Sequence, residues 1–292
     1  MIKKILKYVK RFLILVFGIS SLYLVNLFFM KPFSIDHFLG KELVVELIDS
    51  PEALTYIGIF DRFNWITKHN SRLTIPSDDD INEEIESLEK SIKTLYKYKD
   101  SSLTDVQKNT KKIAIFDYEN NLKELKEFPH HDYPLNQIGG IHLNTIEFLS
   151  DMHPVRNISE AEGFIKRVNL IKQVYEGTLK DLEKQADAGI YPPEFVYGHV
   201  IEQLNEFISF TYEEHPLFTQ FMKKVNDLDI TSEEKASLEE AVKAGIDESV
   251  TPGFILLRDF MIRTQKNANK NHGIWSQPNG DEYYKLRIRT YT

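Results

Sequence analysis

The chain contains no cysteine among its 292 residues. This absence excludes disulfide bonds, thiolate metal sites, thiol nucleophiles and a lipid-modified cysteine behind the N-terminus. An oxidising compartment suits such a composition, although the composition does not require one.

Several common catalytic motifs are missing as well. None of the nine histidines is followed by glutamate, so the sequence has no His-Glu-x-x-His zinc helix. It also has no Gly-x-Ser-x-Gly nucleophile turn and no glycine-rich phosphate loop. The formal net charge of −8 argues against a nucleic-acid partner, because phosphate contacts require clustered lysine and arginine.

The N-terminus departs from this acidic composition. Residues 1–11 carry five basic residues and no acidic one, and residues 12–30 carry no charge. A bilayer-spanning helix needs about 20 mostly apolar residues, and a basic flank marks its cytoplasmic end. We therefore predict a basic cytoplasmic segment (1–11), a single-pass anchor in the inner, cytoplasmic membrane (12–30) and a linker (31–40), with the bulk of the chain extracytoplasmic. The apolar side chains that this prediction places in the membrane are Phe12, Leu13, Ile14, Leu15, Val16, Phe17, Leu22, Leu24, Val25, Leu27, Phe28 and Phe29.

Two other interpretations of this segment were weighed against the anchor. A secretory signal peptide would be cleaved after small residues such as Gly18, Ser20 or Ser21, and the protein would then be secreted. The apolar run continues well past these residues, which favours the uncleaved anchor. A buried core helix is disfavoured by the concentrated basic flank. With an anchor or a signal peptide alike, most of the protein leaves the cytoplasm.

Helical patterns dominate the rest of the sequence. Residues 77–99 begin with acids and end with lysines, as the helix dipole favours, and their apolar residues recur at steps of four and three. Residues 159–189 give the clearest helix, with a Ser159–Glu162 capping box and a stop at Gly189. Its apolar stripe consists of Phe164, Val168, Ile171, Tyr175, Leu179 and Leu182.

Further helix signals follow towards the C-terminus. A second capping box, Thr231 to Glu234, predicts another helix start, which Pro252 interrupts. Residues 253–268 predict one more helix, and residues 127–140 form the most loop-like stretch. Strand signals are few, so the sequence predicts a mainly α protein in which a multi-helix array follows the anchor.

The last residues support two interpretations. Apolar residues from Tyr284 to Ile288 alternate with basic ones at the period of a strand, whereas Asp281 can cap a helix. Tyr283, Tyr284 and Arg287 could line a cleft for an acidic or carboxylate ligand. Alternatively, the tyrosines pack against a helix and the arginine stays in water.

Candidate metal ligands are few. His130, His131 and Asp132 lie in the loop-like segment and could bind a divalent metal, but adjacent side chains point in different directions. His142 and His153 match helix starts or turns, where backbone groups commonly satisfy the ring nitrogens. These patterns therefore assign no catalytic residue and no metal ligand.

Five segments, taken in order, resemble blocks of one bacterial family. They are SPEALTYIGIFD (50–61), YPLNQIGGIHLNTIEFLSDMHPVRN (133–157), AEGFIKRVNLI (161–171), AGIYPPEFV (188–196) and NGDEYYKLRIRTYT (279–292). The family is the mostly extracytoplasmic domain of unknown function 885 (DUF885), whose members look like zincin metallopeptidases. The resemblance runs from about Lys41 to the last residue and defines residues 41–292 as a helical DUF885-like domain.

This resemblance implies a helical N-terminal part that leads into a zinc-binding catalytic part. In such proteins a His-Glu-x-x-x-Gly-His type motif follows the tyrosine-rich block, where this chain ends. No family metal ligand or catalytic glutamate can be carried over onto a residue here, so zinc is expected only in a catalytic half outside this chain. The resemblance also favours a helix for the last block.

Two hypotheses follow. In the first, the chain is the helical half of a membrane-anchored metallopeptidase-like protein, inactive alone, from a truncated or split gene. An exposed apolar patch is then expected where a separately encoded catalytic half docks. In the second, the chain is a membrane-tethered helical module that binds a peptide or protein in the cell envelope without catalysis.

Overall fold

The computed structural model describes the backbone of residues 2–291 and the side chains of residues 5–291. Within that part the regular elements are all helical, apart from an isolated bridge between Pro193 and Asn269. The predicted mainly α fold is therefore confirmed. The α-helices are α1 (Ile2–Phe29), α2 (Ile35–Asp49), α3 (Pro51–Ile57), α4 (Asn64–Thr67), α5 (Asp78–Tyr96), α6 (Asp105–Glu127), α7 (Ile141–Glu147), α8 (Ile158–Asp187), α9 (Glu194–Ser209), α10 (Pro216–Asn226), α11 (Ser232–Gly245), α12 (Thr251–Thr264) and α13 (Gly280–Tyr291).

The chain forms two compact units. Unit 1 comprises Met1–Leu47 and Glu84–Leu122, and unit 2 comprises Ile48–Glu83 and Lys123–Thr292. Helices α5 and α6 each contribute residues to both units.

Helix α1 of unit 1 is long and apolar enough to cross a membrane. Its segment Ile5–Phe29 has 25 residues and a mean hydropathy of 2.3, and 6% of the span is buried within the protein. Every predicted anchor side chain except Leu27 is exposed. Such exposure is inconsistent with a core helix of a soluble protein, and it fits either a membrane anchor or a signal sequence.

The remainder of unit 1 packs around a small core on α2. Ile35 and Phe38 of α2 are buried together with Leu95 and Tyr98. The Tyr98 hydroxyl donates to the carbonyl oxygen of Pro32 at 2.8 Å, and burial raises its pKa to about 12. Helix α2 thus begins inside the stretch 31–40, which the sequence analysis treats as a linker.

Helix α8 organises unit 2. It packs against α11 and α12, and the stripe predicted from the sequence is buried as expected. Each fully buried apolar side chain of this kind contributes about 1.5–3 kcal/mol to folding. The fully buried members are Phe164, Val168, Ile171 and Tyr175, while Leu182 is 2% exposed and Leu179 is partly buried.

Two glycines of α8 let the segment 70–76 pass close to the helix. A Cβ atom on Gly163 would lie 2.6 Å from the carbonyl oxygen of Asn70, and one on Gly177 would lie 2.5 Å from that of Pro76. Both distances are below any real carbon–oxygen contact. These positions therefore require glycine, because only its bare backbone admits the neighbouring chain.

The helix ends follow the sequence signals with one correction. The predicted Ser159–Glu162 capping box is wrong, because α8 starts earlier and Asn157 caps it by accepting a hydrogen bond from the Glu160 backbone N–H at 3.0 Å. The Thr231–Glu234 capping box is present with both of its reciprocal bonds.

Two further predictions concern helix breaks. Gly189 adopts a φ of 74° just after α8, in agreement with the predicted stop. Pro252 does not end the helical run, because the π-helical stretch Ile246–Val250 joins α11 to α12 without a gap and accommodates the proline that follows it. The last block forms helix α13, so the strand interpretation is wrong.

Candidate functional site

Helix α13 brings together two of the three residues predicted to line a cleft. The Tyr283 ring is buried against His131, with ring centroids 4.9 Å apart. The Arg287 guanidinium binds the Glu124 carboxylate, with Nη1 2.9 Å from Oε1, and the Tyr283 hydroxyl lies 3.4 Å from the same oxygen. Tyr284 is 54% exposed and lies apart from them. In unit 2 these contacts are packing contacts, and a role in lining a cleft stays a prediction.

The paired histidines of the loop-like segment are tied to backbone groups. His131 Nε2 lies 2.6 Å from the carbonyl oxygen of Pro278, and the carbonyl of His130 accepts a hydrogen bond from Gln185 at 2.7 Å. No group of three or more histidine, aspartate or glutamate side chains between residues 5 and 291 is arranged to hold a metal ion. The donor set of these residues therefore does not fit a zinc site.

The other candidate histidines are buried. His142 Nε2 lies 3.0 Å from Gln203 Oε1, while its Nδ1 has no partner among the described residues. His153 Nε2 lies 3.0 Å from the carbonyl oxygen of Glu160. Burial lowers the pKa of both rings, to about 3 for His153, so both are neutral near pH 7.

His153 belongs to a buried network centred on Arg167, which is fully buried. The Arg167 guanidinium donates to the carbonyl oxygens of Arg72 at 2.8 Å and His69 at 2.9 Å. It also donates to the Thr55 hydroxyl at 2.8 Å and to His153 Nδ1 at 2.9 Å. One guanidinium thus joins α3, the segment 69–72, the turn before α8 and α8 itself.

The acceptors of Arg167 are neutral groups. No carboxylate in the described part of the chain forms an ion pair with Arg167, although its carbon Cζ lies 4.9 Å from the centroid of the Phe148 ring. Burial lowers its pKa to about 10, so the group remains charged at neutral pH. A buried charge is tolerated here because the three guanidinium nitrogens meet a preformed set of five acceptors, the fifth being the carbonyl oxygen of Pro51.

The network closes into a ring through acidic side chains. Glu160 binds Arg156, with Oε1 2.7 Å from Nη2, and Arg156 Nη2 lies 2.5 Å from Asp61 Oδ2. Asp61 Oδ1 lies 3.2 Å from His69 Nε2, and the His69 carbonyl oxygen accepts a hydrogen bond from Arg167. On the other side, the Glu160 carbonyl oxygen is bonded to His153, which in turn accepts from Arg167 and closes the ring. Burial is the main influence on His69 and lowers its pKa, against the opposing pull of Asp61.

A cleft of about 470 Å³ opens beside this network. Its walls come from α3, the segment 73–76, α7 with the π-helical turn that follows it, and α8. Its volume is in the range of small-molecule sites. The lining residues are Glu52, Tyr56, Leu73, Thr74, Pro76, Ile141, Asn144, Thr145, Glu147, Phe148 and Val174.

The cleft combines an apolar floor with fixed polar groups. The Glu52 carboxylate accepts two hydrogen bonds from Thr74, from the backbone N–H and from the hydroxyl, each at 2.8 Å. The rings of Tyr56 and Phe148 lie 5.5 Å apart at an interplanar angle of 40°. We call this site the α3–α7 cleft, and it is a candidate for ligand binding in unit 2.

The segments 50–61 and 133–157, which resemble the family, contain most of the residues that line the cleft. The sequence patterns did not identify these residues as a site. The available signal was Arg167, because a charged residue directly beside Phe164 and Val168 on a buried stripe requires internal acceptors. Apart from His153, the acceptors lie about a hundred residues earlier in the chain, so periodicity alone could not identify them.

The fold and site thus define an all-helical protein with an apolar N-terminal helix. Residues 51–292 match the sequence profile described as "Bacterial protein of unknown function (DUF885)". Since the match covers most of the chain, the protein belongs to the DUF885 family. None of the curated proteins compared with the chain matches it significantly.

A solved structure shares this fold. It is described as "The crystal structure of the putative lipoprotein from Colwellia psychrerythraea", with a TM-score of 0.70 and 20% sequence identity. The similarity covers 83% of this chain and 44% of that one. The chain therefore spans less than half the length of this structural relative.

Proposed function

We propose that this chain is the helical part of a membrane-anchored, zinc-metallopeptidase-like protein and does not catalyse hydrolysis alone. The observation that carries the proposal is the shared fold, which covers 83% of this chain but 44% of the structural relative. The remaining length of such a relative leaves room for a catalytic part. In this proposal zinc is bound outside the present chain.

The proposed anchor rests on helix α1. Its 25-residue apolar span is exposed, and basic residues precede it. An apolar helix of this length is stable in a bilayer because all its backbone groups bond within the helix. The proposed topology has the N-terminus in the cytoplasm. The part of unit 1 that follows the anchor and all of unit 2 then lie outside.

The proposed catalytic partner is supported by exposed apolar side chains in unit 2. Trp65 is 75% exposed and Ile59 is 66% exposed, which is unusual for a monomer surface. A separately encoded or contiguous catalytic part would cover this patch. Its members are Ile57, Ile59, Phe63, Trp65 and Ile66.

The topology is tested with the full chain in its own membrane. Alkaline carbonate should leave the protein in the pellet, and detergent should release it. A reporter enzyme that is active only outside the cytoplasm should be active when it is fused after Thr292. A reporter that is active only in the cytoplasm should be inactive at the same position. N-terminal sequencing of the mature protein separates the two export routes, because an anchor keeps residues 1–30 whereas a signal peptide does not.

The lack of independent catalysis is tested with the full chain purified in detergent. Incubation with zinc and a mixed peptide library should give no hydrolysis above the level seen with a chelator. Chelator-sensitive hydrolysis by the purified chain would overturn the proposal. Sequencing the DNA beyond the Thr292 codon then shows whether a His-Glu motif is encoded in frame, in another frame or in an adjacent gene.

A second candidate function is a non-enzymatic binding or scaffold module in the cell envelope. The α3–α7 cleft favours it, because its volume of about 470 Å³ and its mixed apolar and polar lining suit a small ligand. If the DNA beyond and beside the Thr292 codon encodes no His-Glu motif, this second function replaces the first.

A further inference from the structure

We propose that the α3–α7 cleft binds an organic cation, a protonated amine or guanidinium carried on an apolar body. The basic side chain or free N-terminus of a peptide has this chemistry. The inference concerns unit 2 alone and does not depend on whether a catalytic part exists elsewhere.

The charge of the lining gives the ligand its sign. Two carboxylates, Glu52 and Glu147, line the cleft, and no lysine, arginine or histidine does. Glu52 is held by neutral donors of Thr74, and the buried Arg167 guanidinium offsets part of its negative charge. Glu147 is exposed at the end of α7. A cation gains Coulomb energy from both carboxylates, whereas an anion is repelled.

The aromatic wall favours the same ligand. Arg167 occupies one face of the buried Phe148 ring, with Cζ 4.9 Å from the ring centroid, so the ring that is open to a ligand is that of Tyr56. Tyr56 packs against Phe148 and is 61% exposed, so its ring is accessible to a ligand. Cations bind over aromatic faces because the ring quadrupole is negative there.

The floor of the cleft accommodates the apolar body of the ligand. Leu73, Pro76, Ile141 and Val174 supply aliphatic surface, and the Asn144 amide is the neutral polar group beside them. A volume of about 470 Å³ holds a side chain or a small dipeptide and not a folded partner.

The site is preorganised by the interior. Pro76 runs against Gly177 of α8 with no room for a Cβ atom, and Arg167 joins α3 to the segment 69–72. Both walls are thereby fixed before a ligand arrives. A rigid site loses little entropy on binding, which helps a small ligand to bind at all.

The test uses the full chain in nanodiscs and three probes of one shape. They are 2-phenylethylamine, 2-phenylethanol and 3-phenylpropionate, which differ in charge. The proposal predicts saturable binding of the amine, at least fivefold weaker binding of the alcohol, and none of the carboxylate, measured by isothermal titration calorimetry. The factor of about five corresponds to a partly exposed ion pair. Equal affinity for the three probes, or preference for the carboxylate, would overturn it.

Matched variants locate the binding. Glu147→Gln should weaken amine binding about fivefold, and Tyr56→Leu should do so about threefold. Glu202→Gln, an equally conservative change at an exposed position of α9, should leave the affinity unchanged. Since Glu147 is exposed, its variant is expected to fold normally, as circular dichroism can verify. If Glu147→Gln and Glu202→Gln bind the amine equally well, the cleft is not the cation site.

Two further probes distinguish the source of the cation. An N-acetylated lysine amide presents only the side-chain amine, and glycyl-phenylalanine amide presents only a free N-terminus. Tighter binding of the first identifies a basic side chain as the ligand, and tighter binding of the second identifies a peptide N-terminus. If neither competes with 2-phenylethylamine, the assignment to a peptide-borne cation is wrong.

Discussion

The Arg167 guanidinium donates a hydrogen bond to Nδ1 of His153 at 2.9 Å, in the interior of unit 2. This bond requires a neutral imidazole that accepts at Nδ1 and donates from Nε2 to the Glu160 carbonyl. The pKa of His153, lowered to about 3 by burial and then by Arg167, agrees with that state. The pair therefore couples the protonation of one side chain to the packing of the whole network.

We expect Arg167→Leu to destabilise unit 2 by about 3–5 kcal/mol, because it leaves buried acceptors without a donor. Arg167→Lys should lose much of the same energy, since an ammonium cannot reproduce the fork. Both tryptophans, Trp65 and Trp275, lie in unit 2, so urea unfolding of the full chain in detergent can be followed by fluorescence. The control Arg263→Leu, on the exposed face of α12, should cost less than about 1 kcal/mol. Similar losses for both arginines would contradict the account.

The low pKa of His153 makes unit 2 sensitive to acid. Below the unfolded-state pKa of about 6.5, the unfolded chain binds a proton that the folded chain excludes until about pH 3. Stability should therefore fall as pH drops through this window, by about 1.4 kcal/mol per pH unit from this group alone. His153→Gln should flatten the slope by about one proton, whereas exposed His199→Gln should not. An unchanged slope in His153→Gln would show that His153 is not the buried base.

Gly177 of α8 and Gly198 of α9 offer a matched comparison between a tightly packed and an open glycine. Gly177→Ala should destabilise unit 2 by about 1–3 kcal/mol and weaken binding in the cleft, because the new methyl group pushes against Pro76. Gly198→Ala on α9 meets nothing within 4 Å and should stabilise the helix by up to about 1 kcal/mol. If Gly177→Ala also stabilises the protein, the close approach of the segment 70–76 is wrong.

The start of α8 can be checked by its caps. Asn157→Ala should cost about 1 kcal/mol, and Ser159→Ala should cost almost nothing, because Asn157 accepts the capping bond. Thr231→Ala at α11 should resemble Asn157→Ala. The free energies of urea unfolding measure all three, and a larger loss from Ser159→Ala would restore the cap predicted from the sequence.

The tyrosines of α13 should differ sharply. Tyr283→Ala removes a buried ring and should cost about 3 kcal/mol, whereas Tyr284→Ala changes an exposed side chain and should cost less than about 0.5 kcal/mol. The two variants are neighbours in sequence and remove the same atoms. Equal costs would mean that α13 does not pack as described.

The sequence predicted the features that depend on local periodicity. The stripe of α8 follows from the spacing of its apolar residues, which places them on one face of the helix. The apolar helix α1 follows from the uncharged run of residues 12–30. The predicted cap of α8 is wrong because Asn157 and Ser159 are both good capping residues, and each stands three residues before a glutamate. The local Arg156–Glu160 pair and the tertiary bond from Arg156 to Asp61 favour Asn157.

The cleft could not be predicted in the same way. Its residues come from four separate segments between Glu52 and Val174, which periodicity does not relate, and it is the fold that brings Tyr56 against Phe148. The final block is ambiguous for a related reason, because the short stretch from Tyr284 to Ile288 fits both the period of a strand and that of a helix. Contacts of Tyr283 and Arg287 with Glu124 select the helix.

The proposed function is tested most directly by the zinc content of the full chain. The chain is purified in detergent, equilibrated with zinc, dialysed and analysed by elemental mass spectrometry. Because the described residues offer no three-ligand group, we predict no stoichiometric zinc. One tightly held zinc per chain, removed only by a chelator, would contradict the proposal that the metal chemistry lies outside this chain.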